Sequence, residues 1–212
     1  LSLTRGGGGQ NLIGKERGVA VAMLRTQELA AARRVDGAEQ FFSRARDFGY
    51  SKSAEETLRI WNKAEVLGDV VWILRRFRPD VVITRFAGDG SGRHGHHTAS
   101  ALLAKEAFAL AADAKAYPQQ LREGVSPWQV KRLLWNSYHW RPVPPSKLRG
   151  ALAMDVGAYS AALGRSIAEL AAASRTMHKS QGFGSAPRRG AHIERFKLLA
   201  GAPAKRDILE GV

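Results

Sequence analysis

Three of the six histidines of this chain, His94, His96 and His97, stand within four positions of the histidine segment, SGRHGHHTAS (residues 91–100). Imidazole is the commonest nitrogen ligand for zinc, and rings three residues apart where a helix begins can point the same way. A catalytic zinc takes three protein ligands and a water, so this segment alone cannot complete a site. The alternative is a solvated turn whose histidines cap the next helix.

A second glycine-rich stretch, RGGGGQNLIG, forms the glycine loop (residues 5–14). Backbone N–H groups of such a loop can hold a phosphate at a helix N-terminus. The string matches neither the Walker pattern nor the dinucleotide fingerprint, so we predict no nucleotide cofactor. An equally good alternative to a phosphate-binding loop is a flexible turn that lets a substrate approach the backbone closely.

Three further polar residues belong to the first quarter of the chain. Arg25 and Glu28 lie one helical turn apart, either as a solvated ion pair or as the frame of a polar pocket. Asp47 precedes a Phe-Gly pair, where an aspartate is commonly a turn residue. Both alternatives stay open from the residues alone.

The remaining histidines lie late in the chain. His178 follows Arg175 by one turn at a predicted helix terminus, where a histidine often does no more than cap the helix dipole. Its neighbours, Ser180 and Gln181, make a further role worth testing. His139 and His192 show no partner spacing, and we interpret them as structural.

The elements that must position these residues alternate between helix and strand. Hydrophobic periodicity and the capping pattern at Ser53 predict a series of helices, and short β-branched or apolar runs predict strands. The predicted helices cover residues 16–34, 53–78, 99–112 and 157–176, and the predicted strands cover residues 1–4, 80–86 and 131–140. This alternation predicts the α/β class with a mostly parallel sheet flanked by helices. The histidine segment follows the strand over residues 80–86, at the edge where such sheets bind ligands.

Length and composition limit the classes of protein that fit. A chain of 212 residues predicts a single core, which we place in a domain over residues 1–185, followed by a basic segment over residues 186–212. No apolar run approaches the roughly 18 residues of a membrane span, so we expect a soluble chain. The absence of cysteine excludes disulfides and thiolate metal sites. A metal would be held by imidazole, carboxylate and water.

The net charge of +14 favours anionic partners and raises a rival interpretation, a nucleic-acid-binding module. Arginine clusters lie in LRRFRP (residues 74–79) and APRRG (residues 186–190). A nucleic-acid site usually has a continuous basic face interleaved with aromatic residues, whereas lysine and arginine are spread over the whole chain here. We therefore expect no nucleic-acid partner.

Six stretches, taken together and in order, resemble the de-N-acetylase family of the LmbE and N-acetylglucosaminyl-phosphatidylinositol deacetylase (PIG-L) type. The matching stretches are TRGGGGQN, RTQEL, DGAEQFFSRARDFGYS, RPDVVITRF, HGHHTAS and HKSQGFG, which lie between residues 4 and 184. The resemblance implies a Rossmann-like three-layer fold and a zinc-dependent hydrolase that removes acetyl groups from N-acetylated amino sugars or related conjugates.

The same resemblance assigns roles to individual residues. It implies that His97 is a zinc ligand and that His94 is the catalytic histidine that stabilises the oxyanion. Arg25 matches an arginine that faces the substrate, and Asp47 and His178 match pocket-lining, substrate-binding positions. It assigns no role to His96.

In that family a His-Pro-Asp-Asp motif after the first strand supplies two further zinc ligands and the general base. No His-Pro-Asp-Asp occurs in these 212 residues. We expect it just upstream of Leu1, in a part of the protein that this sequence does not represent. A second rival interpretation is therefore a catalytically inactive, structural fragment.

Overall fold

The computed structural model describes residues 1–91, 93–137, 144–182 and 184–212. His139, the end of the strand predicted over residues 131–140, Gly92 and Phe183 lie outside the described residues. Two compact units divide the chain. Unit 1 comprises Leu1–Tyr50 and Asp155–Ile193, and unit 2 comprises Ser51–Met154 and Glu194–Val212. The domain limits placed at residues 185 and 186 stay a prediction.

Unit 1 is built on two helices. Helix α1 spans Val19–Asp36 and ends at Gly37, whose left-handed backbone (φ 73°) lets its N–H donate to the carbonyl of Arg33. Helix α6 spans Ile167–Thr176, and a 3₁₀ turn spans Lys179–Gln181. The predicted strand over residues 1–4 contributes only an isolated parallel bridge between Ser2 and Phe42.

The helix predicted over residues 157–176 is wrong in its first half. Residues 159–166 form a hairpin of strand β4 (Tyr159–Ser160) and strand β5 (Arg165–Ser166). Tyr159 and Leu163, which were expected on a buried helical stripe, are exposed. The helix begins only after Ser166, whose side chain forms a reciprocal capping box with Glu169.

Packing between α1 and α6 relies on small and polar side chains. Ala32 and Ala172 are buried, and the carboxylate of Asp36 accepts hydrogen bonds from Arg33 on its own helix and from Ser174 on α6. The hydrogen bonds from Arg33 are the main reason that the pKa of Asp36 falls to about 2. The carboxylate is therefore ionised at any physiological pH.

The helices of unit 2 carry its apolar core. The helix predicted over residues 53–78 is interrupted at Asn62, which takes the left-handed conformation (φ 55°) that asparagine tolerates better than most residues. Val70, Leu74 and Leu103 are among the buried side chains of the unit 2 core, whereas Phe77 is half exposed. The helices are α2 (Ala54–Trp61), α3 (Lys63–Phe77), α4 (Gly95–Leu110) and α5 (Pro118–Arg122). In the described part of the chain, no helix combines the length and the apolar character that a bilayer span requires.

Among the described residues, the sheet of unit 2 has four strands, which span Val81–Thr84 (β1), Arg132–Asn136 (β2), Leu152–Asp155 (β3) and Ile193–Gly201 (β6). Their order in the sheet is β1, β2, β6, β3. Strands β1 and β2 are parallel, so their carboxyl ends, at Thr84 and Asn136, lie at the same edge. Strand β6 runs antiparallel to β2.

The mixed α/β class is confirmed by this arrangement, but the mostly parallel sheet is not. The antiparallel strand β6 comes from the basic segment over residues 186–212, for which the sequence predicted no strand. Arg132 of β2 is fully buried, and its guanidinium donates to the carbonyls of Ile208 (3.0 Å) and Glu210 (2.6 Å). The last residues are therefore fastened to the sheet by polar bonds that hydrophobic patterning does not register.

A second buried cation closes the far end of α4. Arg75 is 1% exposed. Its guanidinium donates to the backbone carbonyls of residues 110, 111, 113, 116 and 117 and to the side chain of Gln120. The carbonyls at a helix C-terminus lack intrahelical partners, and Arg75 donates to two at the end of α4, those of Leu110 and the C-cap Ala111.

Candidate functional site

His94 and His97 lie where the histidine segment turns into α4. His94 is the N-cap residue of α4, and its Nδ1 accepts a hydrogen bond from the backbone N–H of His96 at 3.2 Å. The imidazole rings of His94 and His97 have centroids 4.9 Å apart. The helix start therefore brings the predicted catalytic histidine and the predicted metal ligand together, as their spacing indicated.

The ring of His97 stacks on Phe86, which follows β1 at the carboxyl edge of the sheet. The two ring centroids are 3.8 Å apart and the ring planes differ by 5°. His97 is half-buried, so the stack covers one face of its ring without enclosing the residue. The strand β1 thus fixes the orientation of an imidazole that belongs to the following helix.

His96 occupies a different environment from its neighbours. Its ring centroid lies 4.8 Å from that of Trp61 and 4.7 Å from that of His94. Trp61 is a buried residue at the end of α2. The side chain of His96 therefore packs between a core tryptophan and the N-cap histidine, which gives it a structural role.

Gly95 anchors the histidine segment to the fully buried side chains of Ser51 and Thr57. The N–H of Gly95 donates to the carbonyl of Ser51 at 2.9 Å, and the hydroxyl of Thr57 donates to Ser51 Oγ at 2.8 Å. A Cβ atom at Gly95 would come well within 3.0 Å of the Ser53 carbonyl and of both hydroxyls. Only glycine lets the first turn of α4 approach this cluster so closely.

The imidazoles of His94 and His97, beyond the carboxyl end of β1, are suitable ligands for a divalent cation, but they are too few to hold one. A catalytic zinc is usually held by three protein ligands. Among the described residues, no group of three or more histidine, aspartate or glutamate side chains lies close enough together to hold a metal ion. The imidazoles of His94 and His97 are therefore at most part of such a site.

Unit 1 contains the three predicted substrate-binding residues, Arg25, Asp47 and His178, around the glycine loop. The guanidinium of Arg25 donates from Nη1 to the carbonyl of Gly6 (2.6 Å) and from Nη2 to the carbonyl of Gln10 (2.8 Å). A Cβ atom at Gly6 or Gly9 would collide with this side chain. The glycines thus give the guanidinium room to reach both ends of the turn.

Asp47 approaches the other side of the same loop. Its Oδ1 accepts the N–H of Gly49 at 2.9 Å, the turn geometry that the sequence favours. A Cβ atom at Gly8 would come well within 3.0 Å of Asp47 Oδ1 and of the Gly49 nitrogen. The glycine loop is therefore packed between Arg25 and the turn of Asp47.

His178 joins this group through its neighbour Ser180, which is fully buried. The buried carboxylate of Glu28 accepts the N–H of Ser180 (2.5 Å) and its hydroxyl (2.7 Å), and the Ser180 carbonyl accepts the N–H of Leu12 (2.9 Å). The 3₁₀ turn is thus bonded both to α1 and to the glycine loop.

The environment of His178 keeps its imidazole neutral. Burial lowers the pKa of His178 from the ordinary value of 6.5, and the positive charge of Arg175 lowers it further. Among the described residues, its buried Nδ1 has no hydrogen-bond partner. A neutral ring is the form that tolerates such a position at neutral pH.

The residues that support the predicted site residues were not predicted from the sequence. Ser51, Thr57 and Phe86 position the histidine segment, but their roles depend on contacts between elements that periodicity does not reveal. Gly95 gave a readable signal, since a glycine between two histidines at a helix start indicates a close backbone approach. His192 donates its backbone N–H to Asp155, and the structural role of its imidazole stays a prediction.

Residues 1–108, half of the chain, match the family model described as PIG-L, GlcNAc-PI de-N-acetylase. No curated protein sequence matches the chain. The N,N'-diacetylchitobiose deacetylase from Pyrococcus horikoshii, solved with its inhibitor, is similar with a TM-score of 0.59 and 20% identity, covering 85% of this chain and 58% of that chain. A conserved protein from Thermus thermophilus has a TM-score of 0.49 and 25% identity, covering 84% of this chain and 64% of that chain. The chain thus spans less than two thirds of either structure.

Proposed function

Since this chain belongs to the PIG-L family of GlcNAc-PI de-N-acetylases, we propose that the full-length protein is a zinc-dependent hydrolase of the N-acetyl group of an N-acetylated amino sugar or its conjugate. Water is added across the amide bond, the carbon–nitrogen bond breaks, and acetate and a free amine are released. The observation that carries the proposal is the pair of imidazoles at the start of α4, 4.9 Å apart beyond the carboxyl end of β1.

The metal part of the proposal assigns His97 as one ligand. The remaining ligands, and the aspartate that acts as general base, are assigned to the His-Pro-Asp-Asp motif of the family, which does not occur in these 212 residues. When bound, zinc supplies a Lewis acid that polarises an amide carbonyl and lowers the pKa of water toward about 7. Phe86 keeps the His97 ring in one orientation by covering one of its faces.

His94 is proposed as the residue that stabilises the oxyanion, and its hydrogen bond defines how. Because Nδ1 accepts the backbone N–H of His96, the neutral ring carries its proton on Nε2. Nε2–H is then the group that donates to the oxygen on which negative charge develops.

The substrate-binding part of the proposal comprises Arg25, Asp47 and His178 with the glycine loop. Their convergence on one loop within unit 1 supports a common role. A neutral His178 can exchange hydrogen bonds with the hydroxyl groups of a sugar without the cost of burying a charge.

Acetate release by the full-length protein tests the proposal. We expect zinc-dependent release from N-acetylglucosamine conjugates, abolished by a chelator and restored by zinc. His94→Ala should lower kcat by about 10²–10³, the usual cost of one oxyanion donor. His192→Ala is the matched control and should keep the wild-type rate.

The outcomes separate the rival interpretations. A full-length protein that binds no zinc and releases no acetate would identify a catalytically inactive, structural member of the family. Salt-sensitive retention on DNA, with no release of acetate, would favour nucleic-acid binding instead. A His94→Ala variant with unchanged kcat would remove the oxyanion role alone.

A further inference from the structure

We propose that Arg25 is a positioning residue that acts through the glycine loop, with Glu28 and Ser180 as its second anchor. This inference rests on the proposed function, because it states how the substrate-binding group of that function is held together. It differs from the expectation that Arg25 faces the substrate: here its guanidinium is engaged by the protein itself.

The hydrogen bonds of Arg25 span the loop. Nη1 and Nη2 donate to the carbonyls of Gly6 and Gln10, while Nε lies 3.4 Å from Ser180 Oγ. A planar guanidinium can serve three acceptors in fixed directions, and a lysine ammonium on a shorter reach cannot reproduce that geometry. Arg25 therefore ties two points of a chain segment that is rich in glycine and has little stiffness of its own.

The second anchor uses the opposite charge on the same helix. Glu28, one turn after Arg25, is 8% exposed and receives both hydrogen bonds of Ser180. The Ser180 carbonyl then accepts the N–H of Leu12 in the glycine loop. Helix α1 thus holds the loop directly through Arg25. It also holds the loop indirectly, because Glu28 binds Ser180 and Ser180 binds Leu12.

Displacement of the loop would be transmitted to the other two predicted substrate-binding residues. Gly8 packs against the Asp47 side chain and the Gly49 nitrogen. Leu12 is bonded to Ser180, two residues after His178. Arg25 can therefore set the positions of Asp47 and His178 without touching a substrate.

Amide hydrogen exchange of residues 6–12 in the full-length protein, without substrate, tests this inference directly. Arg25→Ala should speed exchange of these amides by about tenfold or more, because a hydrogen bond from a charged donor is lost at each end of the turn. Arg25→Lys should give a smaller increase, and Ser180→Ala should speed the amide of Leu12 in particular. Arg34→Ala, an exposed arginine of the same helix, is the matched control and should leave the loop unchanged.

Kinetics with an N-acetylglucosamine conjugate separates positioning from direct contact. We expect Arg25→Ala and Ser180→Ala to raise KM in parallel with the change in exchange, and Arg25→Lys to recover part of both. A raised KM with wild-type exchange in the loop would overturn the inference and make Arg25 a direct substrate contact. Wild-type exchange and wild-type KM together would exclude any role.

The exchange measurement does not depend on catalysis. If the wild-type protein releases no acetate, the proposed function fails while loop exchange in Arg25→Ala still decides the inference. Peptides from unit 2 serve as the internal reference, because unfolding of the whole variant would speed their exchange as well. In that event Arg25→Lys, which keeps the charge, becomes the deciding variant.

Discussion

The histidine segment and the glycine loop carry the predicted site residues, and they are held in place by opposite means. In the histidine segment the backbone itself is anchored: the N–H of Gly95 donates to Ser51, and the first turn of α4 fixes the rings of His94 and His97. In the glycine loop the main anchor is a side chain: the guanidinium of Arg25 donates to the carbonyls of Gly6 and Gln10. A backbone anchor tolerates no added atom, whereas a side-chain anchor can be weakened by degrees.

Gly95→Ala should have the largest effect. The added Cβ atom would overlap the Ser51, Ser53 and Thr57 oxygens and push the start of α4 away from them. We expect a loss of about 1–3 kcal/mol in the free energy of unfolding, and about a 10²-fold loss in kcat/KM, because a small misplacement of catalytic groups is this costly. Denaturant unfolding and acetate release measure the two.

The control for that substitution is Lys105→Ala on the exposed face of the same helix. It should leave both quantities near their wild-type values. If Gly95→Ala behaves like Lys105→Ala, the histidine segment is not anchored at this glycine.

Gly8→Ala should have the next largest effect, and it should act on the glycine loop alone. Its Cβ atom would overlap the Asp47 carboxylate and the Gly49 nitrogen, so we expect a loss of about 1–3 kcal/mol in the free energy of unfolding from overpacking. Its effect on kcat/KM should be smaller than that of Gly95→Ala, because the flexible side chain of Arg25 can change conformation and let the loop move.

Gly18→Ala separates this overlap from simple loss of a glycine. A Cβ atom there meets nothing within 4 Å, although φ is 58°, so only a backbone cost of roughly 1–2 kcal/mol is expected. Gly18→Ala should therefore leave KM unchanged. Equal KM values for Gly8→Ala and the wild type would contradict the packing of the loop against Asp47.

Phe86→Leu should have a smaller effect that is confined to the histidine segment. It removes the ring that stacks on His97 and so forfeits about 0.5–1.5 kcal/mol. Zinc affinity of the full-length protein, measured by competition with a chelator, should weaken because His97 is no longer held in one orientation. An unchanged affinity would indicate that α4 alone orients the ring.

The smallest expected effect is on the pH dependence of stability, and it comes from His178 beside the glycine loop. The pKa of His178 is lower in the folded protein than the ordinary value of 6.5, so the unfolded chain binds the proton more readily. Stability should therefore fall as the pH drops below about 6.5. His178→Gln should abolish this part of the pH dependence of unfolding, and an unchanged profile would contradict the buried, neutral ring.

The sequence predicted the parts of the molecule that repeat or alternate. The strand before the histidine segment, the helix after it and the family were all confirmed. The break at Asn62 and the hairpin before Ser166 were not predicted, because single residues at those points end a helical pattern that the apolar spacing alone would continue. The roles of the site residues themselves stay predictions.

The contacts that anchor the two loops could not be predicted from the sequence, for a physical reason. Arg25 and Arg132 donate to backbone carbonyls, and every residue type carries a carbonyl, so no acceptor can be read from the letters of the chain. The exception is the Glu28–Ser180 pair, because its hydrogen bond joins two side chains whose types can be read from the sequence. Both residues also lie in stretches that the sequence analysis considered for their chemistry.

The buried guanidinium of Arg75 bears on where this chain can be divided. The match to the family ends at residue 108, yet the acceptors that neutralise Arg75 lie between residues 110 and 120. A fragment that stopped at residue 108 would lose the oxygens of residues 110–120 that accept hydrogen bonds from Arg75. The part of the chain that matches the family model therefore ends short of the residues that hold one of its own buried side chains in place.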